Sequence, residues 1–374
     1  MNTPASSPAA RLQRLAGYLE QDPGNAALLA DACETAIACG QHAQAEAYIG
    51  KAMELSLDAG EWSFRRARLC IARRELDEAA RLLQELARVL GDQPVLAHDL
   101  AYVRLLQGDA AQARGVLQRW AQDPQALGAM PAELRAAVQV LWLRISHRLQ
   151  LLDEAAEWVQ GQRGAGTLEP AASGVASLIA FDLDDLPAAR ALADAALAVD
   201  RRQVEALVAR GTIALAEGDA AQATQWLQAA LRLNPQDGRT LSALGFASLL
   251  ARDFSAARSL LERSVLSMPD HLETWHALGW ARLLQSDKEG AIAAFESALR
   301  LEPDSAETHG GLALVLVLTG HRQRAEEHMA AADRADPDGL GSRWARAVLS
   351  GTAGEPALLE EMLRDLLSQW RPRP

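Results

Sequence analysis

The stretches ALRLNPQDG (residues 230–238) and ALRLEPDSA (residues 298–306) are nearly the same phrase, repeated 68 positions apart. In each, a proline follows an apolar helical run, and proline can neither continue a helix nor allow helical geometry easily in the residue before it. The phrase recurs in weaker form halfway between the two copies and again after the second. Prolines therefore fall on one period of 34 residues, at Pro235, Pro269, Pro303 and Pro337. A fixed period of this length predicts a solenoid of repeats.

The same period extends back towards the N-terminus when the proline is placed at position 32 of each repeat. One insertion of eight residues (128–135) separates the third repeat from the fourth. The nine predicted repeats begin at Ala26, Gly60, Pro94, Ala136, Pro170, Val204, Gly238, Leu272 and Ala306. Position 20 is alanine in all nine, at Ala45, Ala79, Ala113, Ala155, Ala189, Ala223, Ala257, Ala291 and Ala325. This alanine column predicts one close contact that is made once in every repeat.

Each repeat is interpreted as two helices, A and B, of about a dozen residues, joined by a short turn. The turn reads Gly-Asp or a relative of it, as in Gly108-Asp109 and Gly218-Asp219. Glycine favours the left-handed conformation that ends helix A, and aspartate caps the start of helix B. Small residues at positions 8 and 20 let the two helices approach closely, while position 24 supplies a larger side chain between them.

The repeat that begins at Leu272 resembles the tetratricopeptide repeat (TPR) family. The residues that carry the resemblance are Trp275, Leu278, Gly279, Ala291, Phe295, Ala298 and Pro303. The resemblance is strongest in repeats six to nine, weaker in one to five, and covers residues 26–339. It implies an all-α protein: a right-handed α-solenoid of about nine 34-residue helix-turn-helix repeats with N- and C-terminal capping helices.

The predicted organisation has four parts. Residues 1–25 form a tail and a capping helix, residues 26–169 hold repeats 1–4, and residues 170–339 hold repeats 5–9. Residues 340–374 form C-terminal capping helices. The join at residues 161–169, which contains GQRGAG, is either a hinge or merely a longer loop. Residues 356–370 carry a wide apolar stripe at helical spacing, which either caps the last repeat or docks a partner or a second copy of the chain.

The resemblance implies that the A helices line a concave groove, with positions 2, 5, 9 and 12 facing it. These positions hold no ladder of lysine and asparagine, so a clamp for an acidic C-terminus is not expected. In most repeats positions 9 and 12 hold apolar and aromatic residues, which suit an amphipathic or extended segment with apolar anchors. The predicted partner-binding residues are Tyr102, Leu105, Leu178, Phe181, Leu215, Phe246, Leu249, His276, Trp280, Leu283 and Leu314. The alternative for position 12 is packing between neighbouring A helices.

The composition argues against some classes of partner and against some cellular compartments. The net charge is −12, whereas nucleic-acid binding needs a basic surface. The sequence contains no run of eighteen apolar residues, which a membrane-spanning helix would need. The first 25 residues do not resemble a secretory signal. The three cysteines, Cys33, Cys39 and Cys70, are odd in number and lack CxxC spacing, which favours idle thiols in a reducing cytoplasm.

The motifs of nucleotide, metal and hydrolase sites do not occur in the sequence. His271 and His276 stand five residues apart, a spacing that splays two rings on a helix and argues against a shared metal. We therefore expect no catalytic residues, no metal and no cofactor.

The sequence thus predicts a non-enzymatic, cytoplasmic protein-protein interaction module: a scaffold, adaptor or client chaperone, with a secretion or assembly chaperone as one subtype. Its partner would be a protein or peptide client. The alternatives are a peptide-responsive regulatory protein, for which no DNA-binding segment is evident, and a non-catalytic subunit of an enzyme complex. Self-association as a homo-oligomer through residues 356–370 is compatible with each of these.

Overall fold

The structure is a computed structural model, and it describes residues 7–337 together with Arg346. Within these residues every regular element is a helix. None of the described helices is long and apolar enough to cross a membrane. The chain divides into two compact units, Met1–Ala172 and Ser173–Pro374, called here the N-terminal and C-terminal units. The predicted capping helices of residues 340–374 lie outside the described residues, apart from Arg346.

The N-terminal unit contains repeats 1–4. Its helices are α1 (Pro8–Gln21), α2 (Ala26–Ala38), α3 (His42–Glu54), α4 (Ala59–Ala72), α5 (Leu76–Leu90), α6 (Pro94–Leu106), α7 (Ala110–Gln122), α8 (Pro124–Gly128), α9 (Ala132–Arg148) and α10 (Leu152–Gly164). From α1 to α7 each helix packs against the next, then α7 packs against α9 and α9 against α10. The lone helix α1 buries Leu12, Leu15 and Leu19 against α2 and α3.

The C-terminal unit contains repeats 5–9, and the boundary between the units falls near the start of its first helix. Its helices are α11 (Pro170–Asp182), α12 (Leu186–Val199), α13 (Val204–Ala216), α14 (Ala220–Leu233), α15 (Gly238–Leu250), α16 (Phe254–Ser267), α17 (Leu272–Leu284), α18 (Lys288–Leu301), α19 (Ala306–Leu318) and α20 (Arg322–Ala335). From α12 to α20 each helix packs against the next.

The helix starts confirm the predicted period. Seven of the nine predicted repeat starts are the first residue of a helix A, and helix A of repeat 2 begins one residue early, at Ala59. The remaining one, in repeat 4, follows the insertion. There the short helix α8 ends at Gly128, and α9 begins at Ala132, four residues before the predicted start.

The turn between helices A and B is the same in all nine repeats. Its residue at position 15 has a left-handed backbone, with φ between 57° and 86°, at Gly40, Arg74, Gly108, Gln150, Asp184, Gly218, Arg252, Ser286 and Gly320. The next residue donates its backbone N–H to the carbonyl five residues earlier, at 2.8 to 2.9 Å. This is the bond of a Schellman helix end. The prediction from Gly-Asp is therefore confirmed, and it extends to five repeats without glycine.

Aspartate after the turn caps helix B, as predicted. The carboxylate of Asp219 accepts the backbone N–H of Gln222 at 2.9 Å, and that of Asp253 accepts the N–H of Ala256 at 3.0 Å. These bonds satisfy backbone donors that a helix start otherwise leaves unpaired.

Helices A and B meet at the predicted small residues. Alanine at position 20 is at most 1% exposed in every repeat. A Cβ atom added to the glycine at position 8 would stand 2.5 to 2.6 Å from the side chain at position 24, in the pairs Gly211 and Leu227, Gly245 and Leu261, and Gly279 and Phe295. The side chain at position 24 therefore occupies the space that a Cβ atom would take.

In repeats 8 and 9 the side chain at position 4 hydrogen-bonds a backbone carbonyl at the end of the preceding repeat. The Trp275 indole donates to the Pro269 carbonyl at 2.8 Å, and His309 Nε2 stands 2.8 Å from the Pro303 carbonyl. Because the His309 Nε2 donates there, its Nδ1 accepts from His328 Nδ1, 2.9 Å away. Burial, followed by the nearby His309, lowers the pKa of His328.

The join after repeat 4 is held by a buried amide. Gln139, 0% exposed, donates to the Thr167 carbonyl at 2.8 Å and accepts the Glu169 backbone N–H at 2.8 Å. Glu169 also pairs with Arg135, at 2.5 Å. These contacts all lie within the N-terminal unit, and a hinge at residues 161–169 stays a prediction.

We predict that Ser286→Gly raises the free energy of unfolding by about 0.5–1 kcal/mol, because glycine adopts a left-handed backbone without the steric cost that serine carries. Ser286 has φ 65°. Urea melts followed by circular dichroism measure the change. The reverse variant, Gly218→Ala, replaces a glycine at φ 77° with open space around it and should lose about 1 kcal/mol. A destabilised Ser286→Gly would contradict the prediction.

We predict that Gly279→Ala lowers the free energy of unfolding by about 1–3 kcal/mol, because the new methyl group overlaps the Phe295 ring and forces the helices apart. The matched control is Gly115→Ala in α7, where no atom lies within 4 Å of the added Cβ. The control should stabilise the helix by about 0.5–1 kcal/mol. Equal melting midpoints for the two variants would refute the proposed overlap.

Candidate functional site

The candidate site is the stripe of side chains at positions 5, 9 and 12 of each helix A, called here the A face. Positions separated by four and three residues lie on one side of a helix. The face is thus set by the same register that places the glycine of position 8 against helix B. Neighbouring A helices touch, as α13 and α15 or α17 and α19 do, so the stripes of consecutive repeats adjoin.

The structure leaves few of the predicted partner-binding residues open to solvent. Tyr102 is 37% exposed, Leu105 is half-buried and the His276 side chain is 12% exposed. The others are at most 9% exposed: Leu178, Phe181, Leu215, Phe246, Leu249, Trp280, Leu283 and Leu314. These eight side chains are therefore not open to solvent in this structure. Their part in binding a partner stays a prediction.

Trp280 shows one physical reason for this burial. Its ring packs edge-on against Phe295 of α18, with ring centroids 5.8 Å apart, and its indole N–H donates to His276 Nε2 at 2.8 Å. His276 in turn packs edge-on against Phe295, at 5.6 Å. An aromatic residue at position 9 can thus belong to the core, because the aromatic ring at position 24 reaches it past the glycine at position 8.

A polar cluster beside the A face of the C-terminal unit was not predicted. Asp182, with a side chain 1% exposed, pairs with Arg239 at 2.7 Å, although the two lie 57 residues apart. Ser242 Oγ and His271 Nδ1 each stand 2.8 Å from Thr274 Oγ1. Burial is the main cause that lowers the pKa of His271. Two sequence signals point here, namely position 2 of the register, which holds Arg239, and position 5, which holds Ser242.

The A face of the N-terminal unit is more polar and more exposed. Position 9 holds Glu34, Arg68 and Tyr102, which are all exposed. Glu34 pairs with Arg65 at 3.4 Å, and Arg65 stacks over the Trp62 ring at 5.0 Å. Beside these charges the half-buried residues at positions 5 and 12 are mostly apolar, among them Phe64, Ile71 and Leu105. This arrangement can contact apolar and charged groups together.

The described residues offer no arrangement for metal chemistry. No group of three His, Cys, Asp or Glu side chains among them could hold a metal ion. Cys33 and Cys70 are buried free thiols, and burial raises the pKa of each to about 11. Both thiols are therefore protonated at neutral pH and poor nucleophiles.

His276 is a buried titratable group in the packing around Trp280 and Phe295. Because its Nε2 accepts the Trp280 N–H, the ring is neutral and carries its proton on Nδ1, which lies 4.0 Å from Glu307 Oε2. Burial lowers the pKa of His276 from 6.5 to about 4. Protonation would replace the acceptor by a donor that faces the indole N–H.

We predict that His276 makes the protein less stable in acid. Since its pKa is lower in the folded chain, the unfolded chain binds the extra proton between pH 6.5 and about 4. Stability is full above pH 6.5 and falls by about 3 kcal/mol down to pH 4 through this group alone. Urea melts at pH 7, 5 and 4 should show this loss relative to His276→Gln, which keeps an acceptor but does not titrate. Parallel pH profiles for the two proteins would contradict it.

Comparison with known proteins gives two sequence profiles, both described as Tetratricopeptide repeat. One matches residues 214–279 and 282–349, the other residues 176–238. No curated protein matches the chain. Among solved structures, YrrB, described as a TPR protein with an unusual peptide-binding site, is 18% identical with a TM-score of 0.41, and the match covers 48% of this chain and 92% of YrrB. MamA is 20% identical with a TM-score of 0.39, and the match covers 42% and 92%.

Neither of these structural likenesses bears on what this chain binds. The similarity to the tetratricopeptide repeat family rests on two observations. The sequence profiles match repeats 5–9, and the helix pairs keep the same turn and the same buried alanine in all nine repeats. Tetratricopeptide repeats are in general non-catalytic modules of protein-protein interaction. Residues 176–279 and 282–349 of the chain match the tetratricopeptide repeat family.

Proposed function

We propose that the chain is a non-enzymatic scaffold, adaptor or client chaperone that binds a peptide or an amphipathic segment of a protein on the A face of its N-terminal unit. The observation that carries the proposal is Tyr102, an aromatic side chain that is 37% exposed at position 9. The half-buried Leu105 lies one turn further along the same helix. Exposed tyrosine with an apolar neighbour is typical of binding surfaces, since tyrosine gives a large contact area and a polar end.

The chemistry of the surface defines the client. The apolar part of the face, with Phe64, Ile71 and Leu105 half-buried, would take two or three apolar anchors of a helix or an extended strand. The charged side chains Glu34 and Arg68 would contact polar groups at its edge. An amphipathic segment combines both, whereas a uniformly acidic peptide would find no row of cations.

We also propose a cytoplasmic location. The three cysteines are free thiols in the structure, which fits a reducing compartment.

We predict that a photo-reactive phenylalanine analogue placed at Tyr102 cross-links the client in cells, because the side chain stands at the centre of the proposed contact. The matched control is Tyr18, which is 53% exposed and lies on α1, outside every helix A. The cross-linked product is identified by mass spectrometry. In addition, the cross-linked client should no longer co-purify with the Tyr102→Asp variant. The circular dichroism spectrum of this variant should stay unchanged.

Two results would refute the proposed function. The first is an equal set of products from positions 18 and 102, which would mean that the A face has no preference over another exposed surface. The second is unchanged recovery of the cross-linked protein with the Tyr102→Asp variant. Loss of recovery from Tyr102→Asp but not from Tyr18→Asp supports it.

A further inference from the structure

One ion pair of the C-terminal unit joins two repeats that are not neighbours. The repeats of a solenoid normally contact only the repeat before and the repeat after them. Asp182 ends α11 in repeat 5, whereas Arg239 stands near the start of α15 in repeat 7, and their side chains are 2.7 Å apart. The pair therefore passes over repeat 6, whose helix A is α13.

The shift between neighbouring A helices explains how these two residues meet. Gln203, which caps the start of α13, lies over Gly174 of α11, because a Cβ atom added to Gly174 would stand 1.9 Å from the Gln203 Nε2 atom. The start of α13 is thus level with position 5 of α11. A second shift of this size brings the start of α15 level with the end of α11, where Asp182 lies.

The side chain of Arg239 crosses α13 on its A face. The B helices α12 and α14 both pack against α13, and α15 packs beside it. Because these helices occupy the inner side and one flank of α13, the A face is the side left for a side chain that runs from α15 to α11. The shift of the helices places the crossing between positions 5 and 9 of α13, where Val208 and Thr212 are each 3% exposed.

The two charged groups differ in their contact with water. The Asp182 side chain is 1% exposed, and the Arg239 side chain is 31% exposed. The guanidinium therefore lies on the solvent side and covers the carboxylate. Removing one partner of a buried ion pair leaves an uncompensated charge in the interior, which is strongly unfavourable. The pair thus favours the closed arrangement of repeats 5–7.

Polar contacts with the following repeat hold Arg239 in the same region. Burial is the main cause that lowers the pKa of His271, and the charges of Arg239 and Asp182 are near enough to act on it. His271 Nδ1 stands 2.8 Å from Thr274 Oγ1, which stands 2.8 Å from Ser242 Oγ of α15. The ion pair is therefore one part of a polar network that extends from repeat 5 to repeat 8.

We propose that Arg239 acts as a strap across repeat 6. While it pairs with Asp182 it closes the A face of α13, and when the pair opens this face becomes accessible to solvent. The strap is a conformational device of the C-terminal unit and goes beyond the proposed function, which concerns the N-terminal unit. It gives a physical reason for the burial of Thr212 and of Leu215, which lies one turn further along the same face.

The strap gives the two units different access for a client. An amphipathic segment of the kind proposed for the N-terminal unit meets the exposed Tyr102 directly. The same segment reaches Leu215, one of the partner-binding residues predicted from the sequence, only after the strap has opened. In this respect alone the inference rests on the proposed function.

A thiol probe in the full chain measures the opening, because the C-terminal unit has no native cysteine. Cys39→Ser removes the half-buried thiol of the N-terminal unit, whose other two cysteines are buried. Thr212→Cys then places a thiol under the strap. The hydroxyl of Thr212 donates to carbonyls of its own helix, which makes it a mild site for substitution.

Ile213→Cys, in a separate chain, is the matched probe on the same helix. Ile213 is 1% exposed and is turned about 100° from position 212 around the helix axis. Labelling by N-ethylmaleimide is followed by mass spectrometry. A local opening of the A face raises the rate at position 212 alone, whereas unfolding of α13 raises both rates.

We expect Arg239→Gln to raise the labelling rate at position 212 at least about tenfold and to leave the rate at position 213 within about twofold. The control is Arg258→Gln, which breaks an ion pair between neighbouring repeats, with Asp287 at 3.1 Å. This control should leave both rates unchanged. An unchanged rate at position 212 in Arg239→Gln, or an equal rise at both positions, overturns the proposal.

A double variant tests whether the two charged side chains act as one contact. Asp182→Asn removes the charge that Arg239→Gln leaves without its strap. Because both changes break the same contact, the double variant should react no faster at position 212 than Arg239→Gln alone. A faster reaction would mean that the two side chains protect the face separately, and it overturns the proposal.

Labelling in low urea keeps the proposal testable if Arg239→Gln loses its fold, which circular dichroism would show. With the strap intact, position 212 should react through a local opening that exposes little surface, so its rate should rise only slightly with urea. Position 213 should react through larger unfolding, and its rate should rise steeply. Equal urea dependence at the two positions overturns the proposal.

The thiol assay contains no client, so its result is independent of the cross-link at Tyr102. Failure of that cross-link together with the expected rise at position 212 in Arg239→Gln would refute the proposed function alone. A successful cross-link with no rise at position 212 would refute the strap alone.

Discussion

The structure depends on one contact, the approach of helices A and B at positions 8, 20 and 24. Alanine at position 20 is fully buried in every repeat, and the side chain at position 24 fills the space above a glycine, as Phe295 does above Gly279. Because this contact leaves no room for a further methyl group, it fixes the distance and the rotation of the two helices. The left-handed residue at position 15 and the next A helix follow from that geometry.

The same constraint leaves the other side of helix A free to vary. Position 9 is charged in some repeats and aromatic in others, while position 20 is alanine in all nine. The two units use this freedom differently. Position 9 is exposed in Glu34 and Arg68 and buried in Phe246 and Trp280, on a scaffold that is otherwise alike.

Most of the fold could be predicted from the sequence because it repeats a local pattern. The proline period and the alanine column give seven helix starts to the residue, and they fail only where the insertion extends α9 and where α4 begins one residue early. The non-glycine turns at Arg74 and Gln150, which lack the following aspartate, could not be inferred from the turn residues alone. There the pairing of the helices imposes a left-handed backbone that the local sequence does not favour.

The state of the A face could be predicted only in part, because the register shows which side chains share a face but not what lies against it. Contacts between distant residues, such as Asp182 with Arg239 or Trp280 with His276, leave no periodic signal. The composition of the face still limits the outcome. Charged side chains such as Arg68 must stay in water or find a partner, whereas exposing Phe246 and Trp280 would cost about 1.5–3 kcal/mol each. A stack with charges at position 9 is stable with its face open, and a stack with aromatic residues there gains stability by being covered. The difference between repeats at this single position therefore changes how much stability each unit gains when its A face is covered.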